Sequence, residues 1–176
     1  NDVIKIDSNS RISLSNNLLG TSNTVFGKLA GNSLNANAGF NLRIGEDAGG
    51  SLTGGTNSGD ENCIVGTNAV DVASDAFRVT VLGTSAMRGA LTTAAEGTVA
   101  VGFASLNVLT SGAGNTAVGY QSQDANTTGS KNTSLGYSSA SAIVAGSDAN
   151  TAIGYNALLN GNHEACDDNT CVGSEA

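Results

Sequence analysis

Tryptophan is absent from this chain of 176 residues, only seven side chains are aromatic, and there is one histidine. Valine, isoleucine, leucine and phenylalanine together make up only about a fifth of the residues, near the level at which a conventional globular core becomes hard to build. Basic residues are scarce as well: seven Lys and Arg face fifteen Asp and Glu, for a formal charge of -8. Without a basic stripe there is nothing to release counterions from nucleic acid or to bind anionic lipid headgroups, so neither is expected as a partner. No apolar run approaches the length of a membrane span, and no secretory signal is visible. The chain opens on Asn1 instead of Met, which points to a processed product or a piece of a longer protein. Three cysteines are too few for a disulfide framework. Cys166 and Cys171 are close enough in sequence to bridge a turn, with Cys63 left over; three buried thiols are the alternative.

What is present is Asn, Ser, Thr and Gly, nearly half of all residues. Such a composition belongs either to a disordered chain or to one stabilised by regular stacking. Internal repetition decides for stacking. The clearest copies are Asn115-Thr116-Ala117-Val118-Gly119-Tyr120, Asn132-Thr133-Ser134-Leu135-Gly136-Tyr137 and Asn150-Thr151-Ala152-Ile153-Gly154-Tyr155. Aligned on the glycine there are nine copies, at Gly27, Gly45, Gly66, Gly83, Gly102, Gly119, Gly136, Gly154 and Gly173, spaced by 18, 21, 17, 19, 17, 17, 18 and 19 residues.

Each column of the repeat has a physical meaning. Before the glycine stands a large apolar residue in every copy: Phe26, Ile44, Val65, Leu82, Val101, Val118, Leu135, Ile153 and Val172. Three residues after it stands Ala or Ser, from Ala30 and Ala48 to Ala157 and Ala176, where backbones must approach closely. Four residues before it Asn recurs at Asn23, Asn41, Asn62, Asn115, Asn132, Asn150 and Asn169, suited to a ladder of side-chain amides bonded between stacked copies. Thr fills most of the next column. The Asn-Thr-x-apolar run reads as a short strand, and the glycine as a bend or close approach that admits no Cβ. Gly-rich segments such as 110–114 read as turns.

One repeat is therefore one coil of a parallel β-solenoid or β-roll: strand, bend, short second strand, turn. The fold expected is all-β, with residues 1–20 as lead-in strands (Val3–Asp7 and Ile12–Ser15) and 21–176 as a solenoid of nine 17–19-residue coils, a rod roughly 40 Å long at about 4.8 Å per coil. Helix is excluded by the missing i, i+3, i+4 pattern and by a glycine in every repeat. A coil in a single chain buries little, with anchors at Leu34, Leu52, Val70, Leu91, Leu106, Leu109, Leu158 and Leu159 and weak positions at Gln123 and Asp124. The missing burial is expected from neighbouring chains in an intertwined or side-by-side homotrimer, with the column two before the glycine (Val25, Val81, Ala100, Ala117, Ser134, Ala152) facing the shared axis. The segment from Val70 to Arg78, longer than its counterparts, is expected to protrude.

Tandem repeats of this kind, at 115–120, 132–137 and 150–155, with Arg11–Asn17 and Gly20–Gly27 before them, resemble those of tail-fibre and virion-appendage proteins of bacteriophages, marine ones in particular. The spacing is also similar to that of the β-roll heads of trimeric autotransporter adhesins. The resemblance covers residues 11–176 and departs from the pattern at Arg43, Val79 and Thr98. It implies a homotrimeric fibre segment on a virus particle, alongside other virion structural proteins and facing a host surface glycan; a bacterial surface adhesin is the alternative location. In the phage proteins such repeats often precede a self-cleaving chaperone domain, which this chain lacks.

No catalytic, cofactor or metal site is expected. His163 lies in a polar loop with Glu164, Cys166, Asp167 and Asp168, a solvated acidic turn without the spacing of a calcium loop, as is Asp60 with Glu61. Gly49-Gly50 and Gly54-Gly55 lack the Lys of a phosphate loop. Phe103, Tyr120, Tyr137 and Tyr155 share one place in consecutive coils and are expected to stack. Such a ladder reads either as a platform for sugar rings or as a shield for the coil edge. The Thr column could order water as ice-binding solenoids do, but Leu42, Cys63 and Val99 interrupt it. Asn126 and Asn132 head glycosylation tripeptides that this composition produces by chance.

Overall fold

The computed structural model describes residues 12–13 (backbone only), 22–34, 38–52, 61–74, 76–92, 95–143, 145–159 and 167–176. They form one ten-stranded sheet whose strands lie in sequence order. β1 (Ile12–Ser13) pairs antiparallel with β2 (Thr24–Phe26). Every later pairing is parallel: β3 (Leu42–Ile44), β4 (Cys63–Val65), β5 (Thr80–Leu82), β6 (Val99–Val101), β7 (Thr116–Val118), β8 (Thr133–Leu135), β9 (Thr151–Ile153) and β10 (Thr170–Val172). The register places like on like, Val118 against Leu135 and Leu135 against Ile153. Nine parallel strands, one per repeat, wind as the β-solenoid that the glycine spacing predicts. The lead-in strand at Val3–Asp7 lies outside the described residues.

The marking glycines stand in one file. Their φ angles run from 127 to 149°, where an L side chain is strained. A Cβ added at Gly119 would also overlap the carbonyl oxygen of Gly136, as one at Gly136 would overlap that of Gly154. Strain and space exclude any other residue independently. The Ala/Ser column is fully buried from Ala30 to Ala157, because each member lies beneath the next coil.

After the glycine the expected second strand is not formed. The residues two and four beyond it are left-handed in successive coils: Gln121 and Gln123 have φ of 50 and 52°, Ser138 and Ala140 of 48 and 51°. Left-handed residues at alternate positions curl the chain instead of extending it. Stacking still satisfies the backbone: Gln121 N–H donates to Phe103 O at 2.9 Å and Gln123 N–H to Ser139 O at 3.0 Å. This half of the coil is a hydrogen-bonded turn, held from above and below.

The Asn ladder is present. Asn41 N–H donates to Asn23 Oδ1 and Asn62 N–H to Asn41 Oδ1, both at 3.0 Å. Val79 takes the next rung as donor only, its N–H bonded to Asn62 Oδ1 at 3.0 Å. The file resumes at Asn115 and runs through Asn132 and Asn150 to Asn169. Asn suits this column because its Oδ1 accepts from the coil above while Nδ2 caps a carbonyl, as Asn132 does on Ser147 O at 2.7 Å.

Inside the coil the anchors Leu34, Leu52, Val70, Leu91, Leu106 and Leu109 are buried, Leu158 and Leu159 half-buried. Between Val70 and Arg78 the expected protrusion is only partial: Val70, Ala73 and Ala76 point into the core, and Val72 and Arg78 face out. Arg43 is fully buried, its Nη1 donating to Gly49 O at 2.9 Å. Gly49 makes the room, since a Cβ there would come within 3.1 Å of Arg43 Cδ. Further along, the interior is polar. Ser122, Ser134 and Ser139 share hydroxyl contacts, and Gln123 donates from Nε2 to Ser134 Oγ at 2.8 Å. The position that read as weak from sequence is thus a satisfied buried amide.

Candidate interaction surface

Strand alternation decides which residues meet the outside, and here it reverses an expectation. The column two before the glycine points into its own coil: Val25, Ile64, Val81, Ala100, Ala117, Ser134 and Ala152 are all buried. That column is not available to face a shared axis. Most coils fill this place with Ala, Ser or Val, while the third takes Ile64 and the second the buried Arg43, for which Gly49 makes room. Outward instead go the Thr column and the large apolar residue next to the glycine. Phe26, Leu82, Leu135 and Val172 are 50–65% exposed, Ile44 and Ile153 are exposed as well, and Val65, Val101 and Val118 are half-buried. The result is a stripe of nine large apolar side chains down one side of the rod, flanked by the Thr column and by the residue after the glycine.

That last column changes character along the rod. In the first coils it holds Lys28 and Glu46, ion-paired at 3.1 Å, then Thr67 and Thr84. From the fifth coil it holds the aromatic ladder. Phe103 and Tyr120 stack at 5.3 Å, Tyr120 and Tyr137 at 4.9 Å, Tyr137 and Tyr155 at 5.6 Å, with interplanar angles of 14, 9 and 26°. Stacked this way, the rings between the two ends cover one another's faces and turn their edges and phenol oxygens outward. A sugar ring that stacks on an aromatic face finds Tyr120 and Tyr137 covered on both sides. The ladder expected from sequence exists, and it offers a row of edges.

Charge gathers in the turns just before the strands. Arg78 bridges Glu61 and Glu96, each at 2.7 Å, and lies 4.3 Å from the Phe77 ring centre. Hydrogen bonds to Glu61 and then Glu96 push the guanidinium above its ordinary pKa. Asp148 accepts from Ser130 N–H at 2.7 Å, and Asp167 from Asp148 N–H at 2.8 Å. Asp167, one of the acidic residues near His163, is thus a rung between coils. His163, Glu164, Cys166 and Asp60 lie outside the described residues, whereas Cys171 and Cys63 are free thiols. Asn126 and Asn132 are buried with both amides hydrogen-bonded, out of reach of a glycosylating enzyme. Among the described residues no group of His, Cys, Asp and Glu could hold a metal ion, and no helix is long and apolar enough to cross a membrane.

Comparison with protein-family models, curated proteins and solved structures finds no match to the chain.

Proposed function

We propose that this chain is a structural and adhesive fibre segment of a virus particle, in which three copies lie side by side with their apolar stripes turned toward a common axis. The observation that carries it is the unbroken outward file from Phe26 to Val172, one large apolar residue per coil. A soluble chain gains nothing by keeping such a file in water for nine repeats. With its two flanking columns the stripe is about 40 Å long and about 15 Å wide, on the order of 600 Å² per chain, shared between the two neighbours. The number three and the virion location rest on the resemblance of the repeats to phage appendages and to trimeric adhesin heads. Such a rod displays a host-attachment surface by length, repetition and rigidity, without reaction chemistry.

Equilibrium sedimentation tests the assembly. The mass expected is three times 17.3 kDa, and Leu135→Asp is expected to give single chains that keep the far-ultraviolet β signature. A wild-type chain that sediments alone overturns the reading. Antibodies raised against the chain test the location: labelling of virus particles supports a virion fibre, and labelling of bacterial envelopes moves it to a surface adhesin.

A second reading is favoured by one observation. Thr and the apolar residue both point outward from each strand, so Thr116 with Val118, Thr133 with Leu135 and Thr151 with Ile153 repeat on one sheet face. A monomeric solenoid could order water on such a face. Single-chain sedimentation together with thermal hysteresis would select it.

A further inference from the structure

Three columns face outward in circumferential order: the Thr column, the apolar stripe and the column after the glycine. From the fifth to the eighth coil, where the last column is aromatic, their residue types are matched; the second and third coils, with Glu46 beside Leu42 and Thr67 beside Cys63, are not. Where the last column holds Phe103, the first holds Val99 in place of Thr. Where it holds Tyr120, Tyr137 and Tyr155, the first holds Thr116, Thr133 and Thr151. A ring without a hydroxyl goes with a side chain without one, and phenols go with alcohols. Nothing within a chain accounts for this, because the apolar residue and the glycine bend stand between the two columns in every coil. Among the described residues, moreover, no hydrogen bond engages the three phenol oxygens or Oγ1 of Thr116, Thr133 and Thr151.

Parallel copies related by rotation about the rod direction meet head to tail, so one flank of the stripe meets the other flank of the next copy. Resting on the side-by-side assembly proposed above, we infer that the aromatic ladder of each chain covers the Thr column of a second copy of the same chain. Tyr120, Tyr137 and Tyr155 hydrogen-bond to Thr116, Thr133 and Thr151 of that copy, and Phe103 packs on its Val99. The seam sets the axial register. A slip of one coil sets a phenol against Val99 or Phe103 against a threonine hydroxyl, and leaves a polar group without its partner. Stacking holds the rings edge-outward beforehand, so the contact orders little that is free in the single chain.

The test uses paired cysteines in the full chain with Cys63, Cys166 and Cys171 changed to Ser. Thr133→Cys with Tyr137→Cys is expected to give covalently closed three-chain species under oxidation on non-reducing gels, while each single change gives none. An assembly of unchanged mass that fails to link overturns the seam and leaves the three-chain reading standing. Linking that stops at two chains supports the seam and overturns the number three. Cross-linking by Tyr137→Cys alone overturns the seam, because it means that like columns face each other. A chain that sediments alone overturns both. A gentler pair guards against misfolding: Phe103→Tyr alone is expected to weaken association about fivefold per contact, and adding Val99→Thr to recover it. Simple additivity of those two changes counts against the seam.

Discussion

The backbone amide of Asn132 donates to Oδ1 of Asn115, 17 residues earlier, at 2.9 Å. Asn132 Oδ1 in turn accepts from the backbone amide and the Nδ2 of Asn150, at 2.9 and 3.0 Å. Each rung is therefore a receiver for the coil above as well as a donor to the coil below. Asn132→Ala removes the acceptor of the Asn150 amide and the donor to the Ser147 carbonyl inside the rod. The expected loss is about 3 kcal/mol, read as a fall in the denaturant midpoint. Asn169, in the last described coil, donates to Asn150 Oδ1 and to Asp167 O, and no described residue donates to its Oδ1. Asn169→Ala is expected to cost less than half as much. Equal losses would show that the ladder is not what holds the column.

The ladder has one repairable gap. Thr98 stands where Asn is usual, is fully buried, and its Oγ1 has no hydrogen-bond partner among the described residues. Thr98→Asn brings an amide whose Oδ1 lies in the file of acceptors above Val79 and below Asn115. It is expected to raise stability by about 1 kcal/mol, measured as a higher melting temperature. Thr98→Val, which only removes the unpaired oxygen, is expected to gain less. A destabilised Thr98→Asn would mean that this coil is too tight for the longer side chain.

Much of the fold is legible because a solenoid residue touches its own counterparts. Gly119 meets Gly136, Asn115 meets Asn132, and Tyr120 meets Tyr137, so each contact is printed in the sequence as a column. Side-chain direction is not printed that way. Val118 and Ala117 differ in size, and the larger is the natural choice for a core, yet the coil is narrow enough that Ala117 fills it and Val118 is left outside. The missing second strand has a similar cause. Leu29, Asp47, Ala104 and Gln121 take the same left-handed conformation without sharing a residue type, since stacking on both sides imposes what local preference does not. The buried group of Gln123, Ser122 and Ser134 joins residues 11 and 12 apart, off the repeat spacing, where column-reading does not look.

Gly119 and Gly173 separate the two reasons for glycine. Both have strained backbones, with φ of 142 and 138°. Only Gly119 also has a carbonyl of the next coil in the space of a Cβ; at Gly173 the nearest atom is the Ala176 Cβ at 3.6 Å. Gly173→Ala is expected to cost about 1–3 kcal/mol from the backbone alone. Gly119→Ala adds a clash that parts two coils, and is expected to cost roughly 4 kcal/mol or more. Unfolding midpoints of the two variants measure the difference, and equal shifts would leave the close approach without energetic weight.

Asp124 provides a pH-dependent check on the turn half of the coil. Burial pushes its carboxyl above the ordinary carboxylate range, against opposing hydrogen bonds from its own backbone amide and that of Ala125. The folded chain therefore holds the Asp124 proton more tightly than the unfolded chain does. This group's contribution to stability is fully present below the unfolded carboxyl pKa of about 3.9, and is lost as pH rises through the higher folded value. At pH 7 the carboxylate is ionised and partly shielded from water, so Asp124→Asn removes a penalty and is expected to raise the melting temperature there. Below the unfolded pKa both chains carry a neutral side chain, and the gain is expected to shrink toward zero. Melting curves of the two proteins from acid to neutral pH should therefore diverge upward. Parallel curves would mean that the carboxylate is as well hydrated in the folded coil as in the unfolded chain.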